Sequence, residues 1–326
     1  MNKLNALLGD VAVTVGCCIG VGFLSGKEAQ VFFGNVFNVA IFAVVFFVAN
    51  LALREYCRMH RCDTVGRLSS SLFGKVSKVC NVGIALCSFV CIVTVLAGVE
   101  QCLSSMFYLS KLPLYAFVTA LIATLLLRRD IKALKYANFV AIVMAVILII
   151  LLCHNSHECV DNLQVPIYQP IIYALFSITM SLGVTTQLAG KASRNHNVLS
   201  AAIASVIVAS MMIVMLRLSN SNVQLPALNN ITSPILLAYA VVTLLLSAVT
   251  GIVANAYPIV QELKSLITDD TVCNALIFGT ALAFSMFGFD FAVKFGYMLV
   301  SAFGLAVVVL IIFKMIIKRN KSRIST

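Results

Sequence analysis

Ten runs of mostly apolar residues, parted by short polar or basic turns, make up nearly all of the chain. They lie near 8–33, 36–57, 79–108, 112–128, 133–153, 167–190, 197–217, 233–263, 272–289 and 292–317. About 20 apolar residues cross a bilayer as a helix. The pattern therefore predicts an all-α integral membrane domain over residues 1–326 with ten transmembrane helices. The third and eighth runs hold roughly 30 residues each, about 45 Å as helix, and are expected to tilt strongly. After the second run, Val65, Leu68, Leu72 and Val76 recur at helical spacing among Arg and Ser, the stripe of an interfacial amphipathic helix.

The ten runs divide near residue 160 into two sets of five, about 8–155 and 166–318. An odd number of spans per half forces the halves into opposite orientations, so an inverted repeat is expected. The first span carries Gly16, Gly20, Gly22 and Gly26 within eleven residues. Glycine weakens a helix by about 1 kcal/mol relative to alanine, and unpaired backbone at membrane depth survives only inside protein or along a cavity. The sixth span is interrupted by a polar run from Ser177 through Thr179, Ser181 and Gly183 to Gln187. Both spans, 1 and 6, are expected to be discontinuous and to face one cavity.

Composition agrees with a membrane class: 61% of residues are hydrophobic, 11% are charged and the mean hydropathy is +1.03, far from soluble domains. The net charge of +11 would suit a polyanion partner if it were clustered, but it is not. Of 23 Lys and Arg, nineteen fall on turns sharing a side with the N-terminus and three, Lys111, Arg217 and Lys294, on the other; Lys27 lies within a span. That asymmetry predicts a multi-pass protein of the cell membrane with both termini cytoplasmic, and it excludes a nucleic-acid partner as the cause of the charge. No cleavable signal is expected at the front, where Asp10 and the glycines interrupt the apolar run. Of the eleven cysteines, those within spans read as small apolar residues. Cys153 and Cys159 near the outer face are left open as a pair. Cys57 and Cys62 lack the second ligand pair of a zinc site.

Candidate site residues follow from these patterns. Gly16 and Gly20 taken alone suit close helix packing, but Gly20, Gly22, Phe23, Ser25 and Gly26 form an unwound stretch suited to line a solute site. There, exposed amide N–H groups would hold a carboxylate and freed carbonyls a cation or ammonium. Ser177, Thr179, Ser181 and Gly183 would line it from span 6, or return their hydroxyls to their own helix. Glu100, a carboxylate within span 3, is either a functional intramembrane acid or a vestibule residue. Glu28 is read as a cap on the outer half of span 1 or as a direct solute contact. Lys27 is a snorkelling or vestibule residue, Lys135 an anchor, and Asn138 a further residue able to face the cavity. The flanking histidines receive no ligand role. No nucleotide-binding loop, nucleophile–base arrangement or metal motif is present, so neither an enzymatic function nor a cofactor is expected.

The motif Gly20-Val-Gly22-Phe-Leu-Ser25-Gly26-Lys-Glu28, followed by Phe32-Phe33-Gly34, resembles the first helix of the YkvI-like bacterial membrane proteins, as does Gly190-Lys191 at the end of span 6. That family belongs to the amino acid–polyamine–organocation superfamily, which implies a LeuT-type fold built as a five-plus-five inverted repeat. The resemblance implies a secondary transporter of a small, amino-acid-like solute working by alternating access and coupled to sodium or protons. In LeuT-type carriers, hydroxyls at the depth of Ser247 and Thr250 join span 1 carbonyls around a sodium ion. By resemblance those carbonyls would be Gly16 and Ile19, with sodium as the bound ion in that alternative. Back-bonding within span 8 is the competing reading for both hydroxyls. In some relatives a span 5 amine replaces sodium, which makes Lys135 the proton-linked alternative. A receptor or sensor subunit of the same fold, akin to germinant receptors, is the second function class, and an ion channel the third. Lipid and a small solute are the expected partners.

Overall fold

The computed structural model describes residues 3–107, 114–127, 131–155, 164–218, 233–264 and 267–324. The expected connection at 219–232 and Cys159 lie outside them, and with Cys159 goes its pairing with Cys153. The first span is in three pieces: α1 (Lys3–Cys18), α2 (Val21–Leu24) and α3 (Lys27–Phe32). Then come α4 (Val36–His60), the short α5 (Val65–Phe73) and the long α6 (Ser77–Phe107). α7 (Leu114–Leu127) and α8 (Ile131–Asn155) complete the first half. The second half holds α9 (Tyr168–Ala189), α10 (Arg194–Leu218), α11 (Pro234–Leu263) and α12 (Asp270–Ser285). The last span begins with α13 (Phe289–Phe291), passes through one π-helical turn (Ala292–Gly296) and ends as α14 (Tyr297–Ile324).

Among the described residues, seven helical segments are long and apolar enough to cross a membrane, and α1, α7 and α12 are shorter apolar helices. Together they occupy the ten expected spans. α6 and α11, at 31 and 30 residues, match the long third and eighth runs. Local chemistry sets several starts. The Asn35 side chain accepts the Asn38 N–H (2.9 Å) at the head of α4, and Thr64 accepts the Arg67 N–H (3.3 Å) at the head of α5. Asp269 caps α12, and Pro234 sits in the first turn of α11, where its missing N–H costs nothing. Of the stripe read after the second run, Val65, Leu68 and Leu72 are buried on α5, whereas Val76 is exposed: Gly74, at φ 57°, ends the helix, and Val76 falls in the following turn (Gly74–Val76). Val44, Val48, Leu121, Leu125, Ile150 and Phe313 point outward from the bundle and are exposed, as lipid-facing positions are.

The interior forms around the broken first span. α1 packs against α8, α9, α10 and α11, while α9 packs on α4 and α14, and α6 lies along α11. One expectation fails. α9 is a single unbroken helix from Tyr168 to Ala189, so span 6 is not discontinuous. Its polar run leaves the ladder intact, and four of its five hydroxyls bond back within the helix: Ser177 to the Tyr173 carbonyl (2.8 Å), Thr179 to Leu175 (2.9 Å), Ser181 to Ile178 (3.1 Å) and Thr186 to Leu182 (2.7 Å). Thr185 Oγ1 is buried without a partner among the described residues. Gly183 supplies close packing instead. A Cβ there would lie 2.7 Å from Pro258 Cγ on α11.

Candidate functional site

The backbone ladder of the first span stops where the Ile19 N–H reaches the Val15 carbonyl (3.0 Å) and restarts where the Leu24 N–H reaches Gly20 (3.1 Å). The carbonyls of Gly16 to Ile19 are thereby left outside it. Gly20 is extended (φ −96°, ψ −174°), and a Cβ there would meet nothing within 4 Å. A second bend follows at Gly26, whose φ of 79° favours glycine. Ser25 bridges this bend, donating to the Gly22 carbonyl (3.0 Å) and accepting the Lys27 N–H (3.4 Å).

The break opens onto a cavity of about 20 Å³ at the centre of the bundle, room for about one water molecule. Gly20, Val21, Gly22 and Glu28 line it from the first span; Tyr173, Phe176 and Met180 line it from α9. Phe289 and Tyr297, on either side of the π-helical turn, close the last wall. Glu28 is 4% exposed. The Tyr173 hydroxyl donates to its Oε2 (2.5 Å) and the Tyr297 hydroxyl to its Oε1. Aromatic rings wall this carboxylate in: Phe176 stacks on Tyr297 at 3.7 Å between centroids, and Phe32 stacks on Tyr297 at 5.2 Å.

A second, larger cavity of about 400 Å³ lies beyond Phe289, which lines both. Ala97, Glu100, Gln101, Ser104 and Asp290 surround this vestibule. The Phe289 ring fits between the first span and α6 because both present glycine. A Cβ on Gly22 would come within 2.8 Å of its Cζ, and one on Gly98 within 3.1 Å of its Cε2. Gly288, at φ 90°, turns the chain into this position. Lys27 pairs with Asp290 at the rim and places its ammonium 5.2 Å from the Phe289 ring centroid. Phe289 and this ion pair therefore separate vestibule from centre.

At the opposite end, Asp10 on α1 is held by two partners: Lys135 of α8 (2.8 Å) and His196 of α10 (2.9 Å). Arg54 of α4 is fully buried beside them. It donates to Asn50 (3.0 Å) and to the Thr14 hydroxyl (2.7 Å) on α1. α1 is thus fastened to three neighbouring helices by polar contacts that two side-chain exchanges would release.

Of the expected solute-lining residues, Gly20, Gly22 and Glu28 lie on the central cavity. Phe23, Ser25 and Gly26 are adjacent but do not line it; Phe23 is buried in the core. Ser177, Thr179, Ser181 and Gly183 do not line it either, being turned to their own helix or to α11 and α14. Glu28 does not cap α3, whose N-cap is Gly26 without a side-chain bond. Glu100 is the capping carboxylate: it accepts the N–H groups of Tyr115 and Ala116, each at 3.1 Å, at the start of α7. It faces the vestibule, not the centre. Near the expected ion site, Ser247 Oγ and Asn138 Oδ1 are buried without a hydrogen-bond partner among the described residues. Thr250 donates to the Ser247 carbonyl (3.1 Å). A Cβ on Gly16 would overlap the Asn138 amide, so this glycine makes room for Asn138. Tyr173, Tyr297, Phe289 and Asp10 carry the two cavities and the two seals, and sequence reasoning did not single them out. A tyrosine inside an apolar span and an acid in the first span were the available signals.

No family model matches the chain, and no curated protein matches it. Among solved structures it is similar to MhsT in complex with L-phenylalanine (TM-score 0.68, 14% identity, 93% of this chain and 87% of that one). It is also similar to Mhp1 in an inward-facing conformation (0.61, 15%, 94% and 75%) and to the Eremococcus coleocola manganese transporter (0.57, 12%, 95% and 76%). At such identities the likeness speaks for architecture. The chain has the all-helical LeuT-type fold of these membrane transporters.

Proposed function

We propose that this protein is a secondary transporter that moves a small, amino-acid-like solute across the cell membrane by alternating access. The observation that carries this reading is a helix break at a central cavity with separate seals on its two sides, one of Phe289 with Lys27–Asp290, the other of Asp10 with Lys135 and His196. Opening one seal at a time would pass the solute without a continuous pore. The basic-residue asymmetry would orient the vestibule outward, with both termini cytoplasmic. Residues about 8–155 and 166–318 would be the two inverted repeats of one domain, and the motif around Gly20–Glu28 relates the chain to the YkvI-like proteins.

The coupling ion in this reading is sodium. The Gly16 and Ile19 carbonyls, Ser247 and Thr250 would hold it between α1 and α11, and the unpartnered Ser247 Oγ fits that role. When bound, the ion supplies a positive charge that joins the two helices. Uptake of amino acids and amines into proteoliposomes under imposed gradients tests the proposal. A sodium gradient should drive accumulation, and Thr250→Ala should weaken the sodium dependence without changing solute preference. Accumulation that ignores sodium, follows a proton gradient and fails in Lys135→Ala would replace sodium by protons. No accumulation above protein-free vesicles would overturn transport.

A further inference from the structure

We infer that the central site recognises its solute as an organic ammonium ion held by Glu28, and that it disfavours a carboxylate on the same solute. The inference rests on the transporter reading for its purpose but not for its geometry, and it narrows that reading's amino-acid-like solute to the corresponding amine without the carboxylate. Glu28 is buried, and none of the ion pairs among the described residues includes it. Lys27, its neighbour in sequence, is engaged by Asp290 at the vestibule rim. A desolvated carboxylate without a cation is costly in a membrane interior, so a site built this way gains most from a ligand that brings the positive charge.

The hydrogen-bonding capacity of the lining points the same way. Both tyrosine hydroxyls donate to Glu28, with the Cys18 carbonyl a second, longer acceptor for Tyr173 (3.4 Å). Thr94 donates to the Val90 carbonyl (2.8 Å) and Cys18 to the Thr14 carbonyl (3.3 Å). What remains unspent is acceptor capacity: a carboxylate takes about four hydrogen bonds, and the carbonyls of the broken helix lie beside it. The rings of Tyr173, Phe176, Tyr297 and Phe289 add π faces that attract ammonium groups. Among the described residues, no Lys, Arg or His lines the cavity. The piece of helix that starts there, α2, is four residues long and offers little dipole for a carboxylate. An amino acid would set its own carboxylate against Glu28, whereas the matching amine would not. The cavity is small in this conformation, and withdrawal of the Phe289 ring would join it to the vestibule.

Matched pairs that differ only by the carboxylate test this directly. Ethanolamine against serine, and phenethylamine against L-phenylalanine, would be titrated into the purified full chain in detergent near neutral pH, reading melting temperature and calorimetric affinity. At least one amine should bind and raise the melting temperature, about tenfold or more tightly than its amino acid. The uncharged 2-phenylethanol should not bind. Glu28→Gln should abolish the amine preference, whereas Tyr297→Phe, which keeps the carboxylate, should retain it. Equal or tighter binding of the amino acids overturns the inference, as does amine binding that survives Glu28→Gln or no amine binding at millimolar concentration. The wild-type pairs decide the matter even if Glu28→Gln fails to fold. If an amine binds with this preference but is not carried into proteoliposomes, transport falls and the site stands. Should the amino acids be carried and the amines ignored, the site inference falls and transport stands.

Discussion

Asn138 and Gly16 show how closely single residues set the machinery. The amide of Asn138 occupies the space that any side chain at position 16 would need, which places a polar group from α8 beside the carbonyls freed at the helix break. Gly16→Ala should destabilise the protein by about 1–3 kcal/mol, the usual cost of overpacking. In an Asn138→Ala background the same change should cost little, and thermal unfolding of the four proteins of that cycle measures the coupling. Phe289 allows a sharper functional forecast. Its ring lines both the central gap of about 20 Å³ and the vestibule of about 400 Å³ and stands between them. Phe289→Ala should therefore speed modification of Cys18, which lines the central gap, by about tenfold or more when a thiol reagent approaches from the vestibule side. An unchanged rate would show that other groups form that seal. The glycines around the break were legible in the sequence because their cost to a helix is local. Tyr173 and Tyr297 were not, because their meeting at Glu28 joins residues 145 and 269 positions away from it, and no local pattern carries that information.

At the scale of elements, the first and sixth spans differ in a way the polar pattern alone did not reveal. Glycine removes side-chain packing and frees the backbone, so the first span breaks. Serine and threonine carry their own hydroxyl back to the helix, so α9 remains whole and contributes aromatic side chains to the cavity instead of backbone. Movement then falls to the pieces of the first span and to the last one, where a π-helical turn separates the seal residue Phe289 from the site residue Tyr297; such turns recur at functional sites. The network on α1 should set the conformational balance. Asp10 joins α1 to α8 and α10 through Lys135 and His196, both partly exposed, so the pair is worth less than a fully buried one. Asp10→Asn should loosen α1, raising the reactivity of cysteines placed along its buried face toward reagents on the α1 side. It should lower the melting temperature by only a few degrees, consistent with about 1 kcal/mol. A large loss of stability without a change in reactivity would make the network a structural brace instead of a seal.

For the molecule as a whole, apolar periodicity and length carried the architecture well. The ten runs are helical in the expected order, seven of them long and apolar enough to cross a membrane and three shorter, and the two longest runs became the two longest helices among the described residues. Tertiary assembly stayed out of reach of such local counting: which faces turn inward, and which acid meets which base. Alternating access around one central site remains the main proposal for the assembled molecule, and native Cys18 tests it without knowledge of the solute. Proteoliposomes sorted by orientation would be treated with a membrane-impermeant maleimide, and modification of Cys18 would be followed by mass spectrometry. Alternating access predicts labelling from both sides, with Asp10→Asn raising the rate from the α1 side and lowering it from the vestibule side. Labelling from one side only, or rates that rise together on both sides in Asp10→Asn, would contradict it.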